Sequence, residues 1–228
     1  MQTATAINVQ VPAVPAAFLA RGARDSARPA ERAPDRDAGA PRHLSRDQEI
    51  YAEGDDATCF YKVLSGGVRT CKLLDDGRRQ IDAFHLAGDI FGLEAGATHR
   101  FSAEAVGDAV VVAVRRDAAS GDPALAAEVL ASAMRSLARA RDHMLLLGRK
   151  SAREKVASFL LGITARASTD DHVDLPMSRV DIADHLGMTV ETVSRTLTRF
   201  ERDGVIELPC DRRTVVLRDK RVLRRLDT

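Results

Sequence analysis

The sequence predicts an α+β fold in three consecutive parts: an antiparallel β domain, one long helix, and a C-terminal helix-turn-helix with a two-stranded wing. Three observations predict it. Between Glu49 and Val114, short apolar or alternating runs are separated by Gly- and Asp-containing turns, the spacing of an antiparallel sandwich or barrel. From about Pro123 to Leu147 there is no internal Gly or Pro, and apolar positions recur at alternating steps of four and three. From Met177 to Phe200, two short helical patterns flank a single glycine.

The chain has 228 residues, of which 45% are hydrophobic, with a formal net charge of +1. That suits a soluble chain of two modest domains or one large one, and any basic surface has to be local. No apolar run is long enough to span a membrane, and the first residues lack the pattern of a secretory signal, so a cytoplasmic protein is expected. The three cysteines, Cys59, Cys71 and Cys210, have neither CxxC nor zinc-ligand spacing, which argues against a disulfide framework or a structural metal. His43, His85, His99 and His143 are scattered without HxH spacing, so a metal-dependent enzyme is not expected.

Residues 1–42 hold five of the eight prolines among Ala, Arg and Asp, and are expected to form a mobile arm. The β domain is placed at 43–120. Its turns are Glu53-Gly54-Asp55-Asp56, Ser65-Gly66-Gly67, Asp75-Asp76-Gly77 and Ala87-Gly88-Asp89, and its strands include Phe60 to Leu64, Val68 to Leu74 and Ile81 to His85.

The long helix is placed at 121–148, with Ala126, Leu130, Ala133, Leu137, Ala140, Met144 and Leu147 as its seam. The small Ala positions let two such helices approach closely in a parallel pair. A single amphipathic helix packed on its own domain fits the same spacing. Gly148 is expected to break the helix, and Ser151-Ala-Arg-Glu154 to cap the next, whose apolar face is Val156, Phe159, Leu160 and Ile163.

In the last part, 149–228, Ser178 can cap a first helix with Val180, Ile182, Ala183 and Leu186 on its apolar face, and Gly187 can end it in the left-handed conformation. Thr189 caps a second helix with Val190, Val193, Leu197 and Phe200 inward. Glu191, Thr192, Ser194, Arg195, Thr198 and Arg199 are then left on or near the outer side. That face has the chemistry for reading double-stranded DNA: Arg195 can donate twice to guanine, Glu191 can accept from cytosine N4, and Ser194 can serve a base edge or phosphate. Val205 to Leu208 and Thr214 to Leu217 describe a hairpin around Pro209-Cys-Asp-Arg-Arg213. Arg179, Thr189, Thr192, Arg199, Arg212 and Arg213 are candidate phosphate contacts.

Over about residues 44 to 220 the sequence resembles the CRP/FNR superfamily of transcription regulators. Glu191-Thr-Val-Ser-Arg195 is similar to the Glu-x-x-Ser-Arg pattern of its FNR and FixK branches. Phe84-His-Leu-Ala-Gly-Asp89, followed by Ile-Phe-Gly92, resembles their β-roll. The resemblance implies a cupin-like β-roll, a dimerisation helix and a winged helix, acting as a homodimer on a palindrome near TTGAT-N4-ATCAA, with Glu191, Ser194 and Arg195 reading the half-sites. It also implies RNA polymerase as a partner, and the loop Asp76, Gly77 and Arg78 is a candidate contact.

No cysteine precedes Cys59, and the β-roll ligand position of iron-sulfur relatives falls near Val112, so no cluster and no cofactor is expected. Glu94, Arg100 and Ser102 echo a cyclic-nucleotide clamp only loosely, so no cAMP dependence is expected. What remains is the FixK-like subgroup, which generally activates genes of low-oxygen metabolism, including respiration and nitrogen fixation. The competing reading within this fold is an effector-gated regulator anchoring a small molecule on Arg100 or His99. A structural coiled-coil adaptor leaves Glu191-Thr-Val-Ser-Arg195 unexplained. Cys210, in the wing beside Asp211 and Arg212, is a candidate redox site whose oxidation would weaken phosphate contact.

Overall fold

Residues 39–166, 172–209 and 214–227 are described by the computed structural model. The β-roll consists of β1 (Pro41–Leu44), β2 (Glu49–Tyr51), β3 (Cys59–Ser65), β4 (Gly67–Leu73), β5 (Arg79–Leu86), β6 (Ile90–Phe91), β7 (Ser102–Ala105) and β8 (Ala109–Arg115). They form two four-stranded antiparallel sheets, ordered β1-β8-β3-β6 and β2-β7-β4-β5. Leu44, Val63, Phe91 and Val111 of the first sheet pack on Ile50, Tyr51, Val68 and Ala105 of the second to make the inner core. The turn between β3 and β4 requires glycine: Gly66 has φ +74°, and a Cβ there would sit 2.2 Å from the Asp108 carbonyl oxygen.

Two boundaries differ from the sequence expectation. Pro41 and Arg42, assigned to the arm, lie in β1, which pairs with β8 from Pro41↔Val112 to Leu44↔Ala109. Their side chains are not buried, and Leu44 alone in that strand is, so the strand has too little apolar alternation to announce itself.

After the short α1 (Ala118–Gly121), α2 runs from Pro123 to Arg149. Asp122 starts it by accepting from the Ala124 and Leu125 amides at 2.9 and 3.2 Å. Gly148 does not break this helix. It lies inside the last turn, where a Cβ would meet nothing within 4 Å, and a lone Gly weakens a helix without ending it. The chain leaves helical geometry at Lys150, whose ammonium is tied to Asp227 at 2.8 Å, and α3 (Ala152–Arg166) follows with Glu154 accepting from the Ser151 amide.

The C-terminal part contains β9 (His172–Asp174), α4 (Arg179–Leu186), α5 (Val190–Arg202), β10 (Ile206–Glu207), β11 (Thr214–Leu217) and α6 (Lys220–Leu226). The wing is a three-stranded sheet, β10-β11-β9, rather than the expected hairpin alone. β9 and α6 were not read from the sequence; each is short and buries a single side chain, Val173 in one and Leu223 in the other. A second core joins Ile81, Phe84 and Val106 of the roll to Leu146 of α2, to Val156, Phe159 and Leu160 of α3, and to Ile182, Leu197 and Phe200. The packing is continuous across residues 148–151.

Candidate nucleic-acid interface

α4 begins with a full capping box. The Ser178 hydroxyl accepts from the Asp181 amide at 3.1 Å, and the Asp181 carboxylate accepts from the Ser178 amide at 3.0 Å. Ile182, Ala183 and Leu186 are buried as expected, but Val180 is 51% exposed. Its place on the inner side is taken by Asp181, a charged residue that the apolar pattern could not reveal; Ser178-x-x-Asp181 was the available signal. Gly187 ends α4 at φ 60°, ψ 47°.

Thr189 caps α5, its hydroxyl accepting from the Thr192 amide at 3.3 Å and lying 3.1 Å from the Thr192 hydroxyl. Val193, Leu197 and Phe200 are buried, and so is Thr196, whose hydroxyl is satisfied by donating to the Thr192 carbonyl at 2.8 Å. Phe200 has the Arg153 guanidinium over its ring, 5.4 Å from the centroid. The apolar face is thereby held down along its whole length.

The opposite face is open. Glu191, Arg195, Thr198 and Arg199 are exposed and Ser194 is half-exposed. Thr189, Val190, Glu191, Ser194 and Arg195 line one shallow depression, bringing together the three residues expected to read bases. The Glu191 carboxyl is held below its ordinary value by its own amide, by the Thr189 hydroxyl and by the Arg195 charge, and is thus an ionised acceptor. Arg199 lies on the same outer side, its Nε 3.8 Å from Asp203. Arg179 is at the first position of α4 and half-exposed. Cys210, Arg212 and Arg213 lie outside the described residues. Cys59 and Cys71 are buried, and burial pushes the Cys71 thiol up to about 11.

On α2, most of the expected seam faces away from the roll: Leu130, Leu137 and Met144 are 64, 45 and 66% exposed, Ala126 and Ala140 are exposed and Ala133 is half-buried, whereas Leu147, expected in the seam, packs against the chain's own core. Ser132, buried, and Leu146 mark the side that packs on the chain's own core. Asp76, Gly77 and Arg78 form the exposed tip between β4 and β5, with Asp76 accepting from the Arg78 amide at 3.0 Å and from its Nε at 2.7 Å.

The interior of the roll is filled. The His99 and Tyr51 rings stack at 3.6 Å between centroids, Tyr61 and Phe91 close on them, and His85 stacks on Phe91 at 5.0 Å. Arg100 is exposed, and its amide rather than its guanidinium meets Glu94, at 3.0 Å. Among the described residues, no group of three or more His, Cys, Asp or Glu is placed to hold a metal ion, and no helix is long and apolar enough to cross a membrane.

Comparison with known proteins agrees with this geometry. Residues 154–226 match the Crp-like helix-turn-helix domain and residues 41–120 the cyclic nucleotide-binding domain. The chain is 50% identical to the nitrogen fixation regulation protein FixK of Azorhizobium caulinodans over 92% of its own length and 88% of the relative's. It is 41% identical to the transcriptional activatory protein AadR of Rhodopseudomonas palustris over 72% of each. Among solved structures, FixK2 from Bradyrhizobium japonicum superposes with a TM-score of 0.78 at 45% identity, covering 83% of this chain and 97% of that one. The chain belongs to the CRP/FNR superfamily of DNA-binding transcription regulators, in its FixK-like group.

Proposed function

We propose that the protein binds a TTGAT-N4-ATCAA-like palindrome as a homodimer, without an effector, and activates genes of low-oxygen metabolism or nitrogen fixation. The observation that carries this reading is the outer face of α5, where ionised Glu191, Ser194 and Arg195 share one open depression on a helix whose other face is buried. Arg195 donates to guanine O6 and N7, Glu191 accepts from cytosine N4, and Arg179 and Arg199 meet phosphates that set register. The exposed apolar seam of α2 supplies the second copy, which places two recognition helices about one turn of DNA apart, roughly 34 Å. The names of the FixK relatives support the nitrogen-fixation assignment.

The test is the affinity of the protein for a TTGAT-N4-ATCAA duplex against a scrambled duplex at fixed salt with nothing added. Tight selective binding is the expected outcome. Weak or unselective binding would overturn the operator assignment or the effector independence. The tip at Asp76, Gly77 and Arg78 is proposed to touch RNA polymerase: replacing Asp76 and Arg78 by Ala lowers transcription in vitro and leaves DNA affinity unchanged, whereas a loss of both readouts removes this role.

A further inference from the structure

The DNA-binding part is seated on its own β-roll by ions as well as by packing. Arg69 of β4 is buried, its side chain 6% exposed, between three carboxylates. Its Nε and an Nη bond Glu104 of β7 at 2.9 and 2.5 Å, the same Nη bonds Asp47 at 2.8 Å, and the other reaches Asp181 of α4 at 3.2 Å. Arg79, at the start of β5, bonds the same Asp181 oxygen at 2.5 Å and Asp184 at 2.9 Å. One turn further along α4, His185 Nδ1 meets the Ile81 carbonyl at 3.2 Å and Gln80 donates to the His185 carbonyl at 3.4 Å. Burial alone would raise the Asp181 carboxyl; the Ser178 hydroxyl and amide, then the two guanidiniums, outweigh it and leave it below the ordinary value.

Adhesion does not explain such a cluster. Desolvating these ions is costly, and apolar side chains of the same volume would hold α4 to the sheet at least as well. An apolar contact, however, tolerates sliding and rotation, while two guanidiniums shared among Asp47, Glu104, Asp181 and Asp184 are satisfied in one alignment only. α4 is the helix to which α5 is joined through Gly187, so the alignment of α4 on β4 and β5 is the alignment of the recognition face.

We propose that Arg69, Arg79 and Asp181 are positioning residues, whose ion cluster seats the helix-turn-helix on its own β-roll in one orientation and thereby sets the half-site spacing that the dimer accepts without an effector. This rests on the operator reading above. If the seat is loosened, only a fraction of molecules hold both recognition helices in register, and the apparent affinity falls by that fraction. A loosened seat also accepts wrong spacings more readily.

The experiment uses the full chain and three palindromes, the four-base spacer and spacers one base shorter and one longer, with a scrambled duplex as control. Arg79→Ala, far from α5 in sequence and on the β-roll, is expected to bind the four-base site about tenfold more weakly and to lose most of its preference over the other spacers. Arg79→Lys, which keeps the charge, recovers part of that preference. Asp184→Asn, at a half-exposed position, moves the ratio in the same direction by less, and answers the question if Arg79→Ala does not fold. Unchanged spacer ratios in Arg79→Ala or, failing that, in Asp184→Asn overturn the proposal, as does an equal loss on every spacer. A wild-type protein that fails to separate the palindrome from the scrambled duplex defeats the operator reading instead, and the proposal with it.

Discussion

Helices α2 and α5 are both amphipathic and are turned opposite ways. α5 buries Val193, Leu197 and Phe200 and shows Glu191, Arg195, Thr198 and Arg199 to solvent. α2 turns Ser132, Ser136, Arg139 and His143 toward its own chain and shows Leu130, Met134, Leu137 and Met144. An outward row of leucine and methionine is an unmet demand for burial, which protein surface answers. An outward row of charged and hydroxyl groups on a firmly held helix is a set of donors and acceptors that water satisfies in the free chain and that have the chemistry to meet base edges and phosphates. The same periodicity therefore signals opposite partners, according to which side the rest of the fold has already covered.

The strongest way to break this comparison is Leu137→Glu. Glutamate keeps the helix but places charge in the middle of the exposed row. Sedimentation should show a monomer, and operator affinity should fall by about 10²- to 10⁴-fold because the half-sites are no longer bound together. A stable dimer with full affinity would mean that α2 meets its partner elsewhere.

A smaller effect is expected from Arg195→Ala on the other helix. The loss of a bidentate base contact costs about 1–3 kcal/mol, roughly 5- to 150-fold, and relaxes selectivity at one base pair per half-site. Sedimentation should remain that of a dimer. A loss that is equal on every sequence would reassign Arg195 to phosphate.

The third test sharpens the inward side of α2. His143 stacks on His185 of α4 with centroids 4.1 Å apart. Burial, and then the neighbouring His143, bring His185 from 6.5 down to about 3, while burial and Lys155 lower His143. In the unfolded chain both titrate near 6.5. Below that value the unfolded state binds more protons, so the stability held above about pH 6.5 is lost progressively as pH falls toward 3. His185→Phe keeps a ring in the stack and removes one titration. The fall in thermal midpoint between about pH 7 and pH 5 should then be shallower than in wild type. An unaltered slope would place the pH sensitivity in other groups, such as the buried His85.

Much of the site was legible because it is local. A threonine, a run of apolar residues at helical spacing and a glycine just before them define α5 and its open face without reference to anything distant. Arg69 and Asp181 were not legible, since they lie 112 positions apart and each, taken alone, is an ordinary charged residue of a strand and of a helix start. Val180 fits an apolar helical face by pattern and is nevertheless exposed, because the surfaces α4 packs on cover Asp181, Ile182, Ala183 and Leu186 and leave the side that carries Val180 open. Gly148 has the composition of a stop but not the setting of one.

By itself, then, the sequence determined the order of the parts, the open polar face of α5 and the existence of a heptad seam, all of which follow from short-range periodicity and capping. Only the tertiary structure decided that most of the seam faces outward, that aromatic rings occupy the roll and that an ion cluster seats α4 on β4 and β5. These are pairings between residues far apart in the chain, and a one-dimensional pattern holds no distance between them until the backbone has folded.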